Sequence, residues 1–241
     1  MINILEYIII VIIILIVLII LKIVYKFSMK NLEDITKNEE LNVISNRLPD
    51  NIKICEDMLI LIGNMDVKVV QSQDIKSKNS FYNVISNTIT ISNMGKSYAR
   101  IQVLAHECIH SVQDKKILKL NFIYANLYII YLIIIFLLTM SGKIENYMFH
   151  MIIIAILGIV QYHVKTMLEI DAISKSKYLA RDYLENIGMI DKNDIYKIVL
   201  AYEKINNIGL KAVNFYLLTN VLIKPALYCV LVVLMKLYIK I

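Results

Sequence analysis

Four stretches of the chain are almost wholly apolar, and polar segments of different periodicity separate them. Residues 7–21 are uncharged and nearly all Ile, Leu and Val, and the run continues past Lys22 to Tyr25. Residues 120–142 and 146–164 contain no Asp, Glu, Lys or Arg. A helix of about 20 apolar residues crosses a hydrocarbon core of about 30 Å, so each stretch predicts a transmembrane helix. Residues 212–239 are also apolar but are broken by Lys224-Pro225. Two arrangements fit this break. Lys224 snorkels from one long kinked helix, or Lys224-Pro225 divides a helix of the soluble lobe from a last span that starts with proline at its first position. The second is the expectation.

The polar segments read differently. Residues 98–116 (YARIQVLAHECIHSVQDKK) have no Pro or Gly. Ile101, Leu104, Cys108 and Val112 recur there at helical spacing, which predicts an amphipathic helix. Residues 80–92 alternate apolar and polar around Asn87, as two short strands or a hairpin do. Residues 67–71 read as a short strand, residues 56–62 as a strand or short helix, and residues 31–46 as a polar helix or loop that Leu48-Pro49-Asp50 ends. The organisation expected is an N-terminal anchor (1–26), a first part of a lobe (27–119), a membrane hairpin (120–164), a second part of the lobe (165–211) and a C-terminal apolar helix (212–241). The fold class is a mainly α membrane protein with about four transmembrane helices and an α+β lobe of short strands plus one motif helix.

Composition supports this. The chain is 58% hydrophobic and has no Trp, which excludes an ordinary soluble domain. The N-terminal run lacks basic residues before it, carries Glu6 and has no small-x-small cleavage site after it, so a retained anchor is expected rather than a signal peptide. The net charge of +6 comes from lysines beside the apolar spans. No basic face interleaved with aromatics appears, so the partner expected is the lipid bilayer and not nucleic acid. Lys22, Lys26 and Lys30 follow the first span; Lys115, Lys116 and Lys119 precede the second; Lys165, Lys175, Lys177 and Arg181 follow the third. The loop at 142–146 has only Lys143, offset by Glu145. The positive-inside rule then places both parts of the lobe in the cytoplasm of a multi-pass cell-membrane protein. The three cysteines, with no CxxC, fit a reducing compartment.

Chemistry enters at residues 106–110, His-Glu-Cys-Ile-His, in a chain with four histidines. On a helix, His106 and His110 share one face and can direct both imidazoles at one metal ion. Glu107 stands beside them as the base for a metal-activated water, the arrangement of a zinc peptidase acting on polypeptides. A third protein ligand is needed. The hairpin returns the chain to the side it left, so residues 165–190 are within reach, and Glu169 and Asp171 are the candidates. They lie about 200° apart around a helix, so only one can face the metal. The strand just before the motif helix, Thr90-Ile91-Ser92, is a candidate edge for pairing with an extended substrate.

The order of these features resembles the neutral zinc metallopeptidase family of bacterial membrane proteins (the YugP-type group, with an HExxH zincin-like lobe). The resemblance rests on His106 to Gln113, an HExxHxxQ core, and on Glu169-Ile170-Asp171-Ala172, with Thr90-Ile91-Ser92 upstream. It implies one Zn²⁺ per chain held by His106, His110 and Glu169, Glu107 as catalytic base, and Asp171 as a neighbour supporting the ligands. The chain departs from the family at Ile109, where glycine is usual, and at Ile173, where serine follows the alanine. Ile173 also stands where the broader gluzincins often carry an Asp that orients a ligand histidine. The rival functions are a non-catalytic membrane scaffold and a small transporter. The first has no use for Glu107, and the second lacks charged groups inside its charge-free spans.

Overall fold

The computed structural model describes residues 4–26, 34–74 and 79–238. The start of the polar stretch at 31–46 lies outside the described residues. The chain is mainly helical, with one three-stranded sheet. In order it forms α1 (Ile4–Tyr25), α2 (Glu39–Ser45), α3 (Asn51–Leu61), β1 (Lys68–Gln71), β2 (Phe81–Asn83), β3 (Thr88–Ile91), α4 (Ala99–Val112), α5 (Lys115–Met140), α6 (Tyr147–Ile187) and α7 (Lys192–Tyr238). Helices α1, α5, α6 and α7 are each long and apolar enough to cross a membrane.

The chain divides into two compact units. One comprises residues 1–27, 120–167 and 211–241, and the other residues 28–119 and 168–210. Helices α6 and α7 each contribute sequence to both.

In the first unit, many isoleucines and leucines of the helices are exposed, while three tyrosines are buried. Tyr7, Tyr128 and Tyr228 are buried with Ile135, Ile154, Cys229 and Val232. A buried tyrosine needs a partner for its hydroxyl. Tyr128 donates to the Ile154 carbonyl at 2.8 Å, and the Tyr228 hydroxyl accepts from Thr139 at 3.3 Å. His150 pairs with the Tyr131 hydroxyl at 3.0 Å, an interhelical bond. His163 Nδ1 faces the Ile159 carbonyl of its own helix at 2.9 Å.

The Lys224-Pro225 break does not end a helix. α7 runs through Pro225 without interruption. Proline removes one N–H and so one backbone bond, a loss that an apolar helix packed among neighbours tolerates. The first arrangement, one long helix, is the one observed.

In the second unit, the lobe, the sheet order is β1-β3-β2, with β1 parallel and β2 antiparallel to β3. The hairpin at 81–91 turns at Asn87, whose φ is 49°. Asn83 Oδ1 accepts from the Ile85 and Ser86 amides, and Asn87 Oδ1 accepts from the Tyr82 hydroxyl at 2.7 Å. Residues 56–61 are helix, the C-terminal part of α3, which Asp50 caps by accepting from the Lys53 amide at 2.9 Å. The core is built around α4, where Ile101, Leu104, Ala105 and Cys108 are fully buried against Ile54, Met58, Ile89 and Ile91. Val112 departs from the expected stripe and is 47% exposed, because the helix ends there and Gln113 already has extended backbone.

Three polar anchors hold α4 in the lobe. The buried Arg100 guanidinium donates to the Pro49 and Ser45 carbonyls and to Asn51 Oδ1. Such multiple bonds are what a buried charge requires. Gln102 donates to the Tyr202 carbonyl at 3.2 Å and to Asn206 Oδ1, and Asn206 donates on to the Ile173 carbonyl at 2.7 Å. The Tyr202 hydroxyl donates to the Tyr98 carbonyl at 3.0 Å. The motif helix is thereby tied to the stretch of α6 that begins at Leu168.

Candidate metal centre

His106 and His110 lie one turn apart on α4, and Glu169 on α6 meets them. Their Nε2 atoms are 3.0 Å apart. Glu169 Oε2 lies 3.4 Å from His106 Nε2 and 3.8 Å from His110 Nε2. Among the described residues this is the group of three or more His, Cys, Asp or Glu side chains that converges closely enough to hold a metal ion. Ligand atoms about 2.0–2.1 Å from a tetrahedral zinc lie about 3.3 Å from one another, so the three separations fit such an ion.

The proton on His110 can be assigned. Gln113 Nε2 donates to the Leu168 carbonyl at 2.8 Å and to Asp171 Oδ2 at 2.9 Å. That orientation leaves Gln113 Oε1, an acceptor only, 2.8 Å from His110 Nδ1. His110 therefore carries its hydrogen on Nδ1, and in the neutral ring the lone pair is on Nε2, toward His106 and Glu169. With His106 in the tautomer that turns its Nε2 lone pair inward, the two imidazoles and the carboxylate present three donor atoms to one point, as a cation requires. Burial works to lower the His110 pKa, but the Glu169 hydrogen bond and the two nearby carboxylates outweigh it and raise it.

Asp171 does not face the triad. It accepts from Gln113 and pairs with Lys175 at 2.6 Å. The two acids of α6 thus divide as helical geometry requires, Glu169 toward the histidines and Asp171 toward Gln113. Ile173 supplies no side-chain bond to a ligand; its carbonyl is used by Asn206. The residue just past the end of α4, Gln113, makes the contact to His110 instead.

Glu107 is buried, at 7% exposure. Its Oε2 accepts from the Tyr82 backbone N–H at 2.8 Å. Burial pushes its pKa up, opposed in part by His106, His110 and the Tyr82 N–H. Cys108, between the histidines, points into the core and lies 3.5 Å from Cys55 with both thiols free.

The expected substrate edge at Thr90, Ile91 and Ser92 requires correction. β3 is the middle strand. Thr90 pairs with Val70 on one side and Phe81 on the other, and Ile91 pairs with Gln71. The Ser92 N–H donates to Ser80 Oγ at 3.0 Å. Those backbone groups are occupied. The outer strand on this side is β2, whose Tyr82 N–H points at Glu107 instead. Alternation marks strands but not their order in a sheet, so the sequence carried no signal that β1 would pair with β3 across the hairpin.

No family model matches the chain, and no curated protein and no solved structure matches it. What fold and site define is a class: a mainly helical chain with four helices long and apolar enough to span a membrane, and a His-His-Glu group able to bind a metal ion.

Proposed function

We propose that the chain is a membrane-embedded zinc endopeptidase, with His106, His110 and Glu169 as metal ligands and Glu107 as general base. The observation that carries this reading is the convergence of the three ligand atoms with the buried Glu107 as the residue next to His106 on the same helix. Two imidazoles and one carboxylate are a protein donor set of catalytic zinc, which takes water as its fourth ligand. When bound, the ion lowers the pKa of a water toward neutrality and polarises a carbonyl. Glu107, kept basic by burial and aimed by the Tyr82 N–H, takes the water proton and delivers it to the leaving amine. Gln113 holds His110 in the tautomer that presents Nε2. A scaffold or transporter has no use for a buried carboxylate in that position. The lobe is proposed to face the cytoplasm, and polypeptides are the proposed substrates.

The test is Glu107→Gln. Glutamine keeps the size and cannot accept the proton, so metal content stays at wild-type level while hydrolysis of unfolded or membrane-derived polypeptides falls by about 10²–10⁴-fold. Zinc is quantified on the same purified samples, and a chelator is added in parallel. Equal cleavage by wild type and Glu107→Gln overturns the mechanism. A wild type that binds zinc and cleaves no polypeptide supports a non-catalytic metal site instead.

A further inference from the structure

Helices α6 and α7 carry two matching stripes. Gly158, Gln161, Tyr162 and Lys165 recur on α6 at the same steps as Leu217, Asn220, Val221 and Lys224 on α7. Steps of three, one and three residues put each set on one helix face. The two faces enclose a cavity of about 160 Å³ lined by all eight. That is about five water volumes, enough for a phosphate group. Gly158 allows the close approach beside it: a Cβ there would lie 3.2 Å from the Tyr128 hydroxyl and 3.6 Å from the Val221 Cα.

The walls are polar within apolar sequence. Lys224 Nζ donates to Gln161 Oε1 at 3.3 Å and stands 4.2 Å from the centre of the Tyr128 ring. The Tyr162 hydroxyl donates to Asn214 Oδ1 at 3.2 Å. Lys165 and Lys224 are both half-buried. Neither forms an ion pair with a described residue. Two ammonium groups in one cavity of an apolar unit, without a carboxylate, call for an anion.

Depth selects the source of that anion. Lys165 lies 18 residues along α6 from Tyr147, about 27 Å, and Lys224 lies 14 residues before Tyr238, about 21 Å. In a core of about 30 Å measured from Tyr147 and Tyr238, Lys165 lies about 3 Å and Lys224 about 9 Å from the opposite face, within reach of the headgroups for a lysine side chain that extends toward them. This is also the end at which α6 and α7 continue into the lobe sequence. A basic pocket between transmembrane helices at that level suits a lipid headgroup.

We propose that this cavity binds the phosphate of an anionic phospholipid, with Lys165 and Lys224 as its charge partners and Gln161 and Asn220 as amide donors. The site is independent of the metal centre and of the peptidase reading. No covalent step is involved.

The test is lipid binding by the full chain in neutral detergent, followed by native mass spectrometry and thermal unfolding. The probes are phosphatidylglycerol, phosphatidylcholine and inorganic phosphate. Phosphatidylglycerol is expected to remain bound and to raise the unfolding temperature, whereas the other two do neither. Each lysine near an anionic group contributes about fivefold in affinity, so Lys165→Gln with Lys224→Gln weakens retention about thirtyfold. Arginine at both positions restores it. Should the double glutamine variant not fold, each single variant is expected to lose about fivefold. Equal stabilisation by phosphatidylcholine overturns the proposal, as does a response to inorganic phosphate without one to phosphatidylglycerol. Unchanged retention in the glutamine variants overturns it as well.

Discussion

At the scale of single residues, the three ligand candidates and the two residues behind them separate by what each touches. His106→Ala, His110→Ala or Glu169→Ala removes one of three converging donor atoms, and each is expected to abolish tight metal binding. Asp171→Ala acts at one remove. It leaves Gln113 with its bond to the Leu168 carbonyl, so metal is retained with lower affinity. Gln113→Ala removes the acceptor that fixes the His110 tautomer and lowers metal affinity about 10–100-fold, the usual cost of losing an outer-shell partner. Metal content after dialysis and competition with a graded chelator measure the series. An empty site in Asp171→Ala with a full one in Glu169→Ala reverses the ligand assignment. The histidine pair was legible because its spacing is local. Glu169 was one of two acids until its helix was seen beside α4. The Tyr82 amide had no signature, since any residue offers an N–H.

At the scale of elements, the hairpin β2–β3 links fold stability to the site, because its outer strand supplies the amide that holds Glu107. Its turn depends on Asn87, which adopts φ 49° and bonds both the Tyr82 hydroxyl and, through Nδ2, the Asp66 carbonyl. A left-handed residue other than glycine costs about 1–2 kcal/mol, less for asparagine. Asn87→Ala therefore combines that strain with two lost bonds, and about 2–3 kcal/mol of lobe stability is expected to go. Asn87→Gly relieves the strain alone and loses about 1 kcal/mol. Chemical denaturation followed by circular dichroism compares them; equal losses would remove the strain argument. The alternation of residues 80–92 disclosed both strands, and helical periodicity disclosed α4. The passage of α7 through Pro225 was not legible, because the rule that proline ends helices assumes that water competes for the freed carbonyl. The ties Gln102–Asn206–Ile173 were hidden for another reason: they join residues 104 and 33 apart in sequence, where no periodicity reports.

At the scale of the whole molecule, α6 carries a stretch long and apolar enough to span a membrane and the third ligand candidate on one uninterrupted helix of 41 residues. The side of the membrane on which Glu169 emerges is thus set by the same lysines that orient the span. His106 and His110 belong to sequence before the hairpin of α5 and α6, and Glu169 to sequence after it. A shared metal ion requires that both emerge on one side, and the Lys/Arg asymmetry is the ground on which that side is proposed to be the cytoplasm. Ser86 and Ser174 are exposed positions on the two parts of the lobe, while Cys55, Cys108 and Cys229 are buried and give little background. In intact cells, Ser86→Cys and Ser174→Cys are each expected to resist a membrane-impermeant thiol reagent, and after lysis each is expected to react. Reaction of both in intact cells inverts the topology and leaves the metal centre whole. Reaction of only one puts the two halves of the site on opposite sides of the bilayer, and the triad could not then close around one ion.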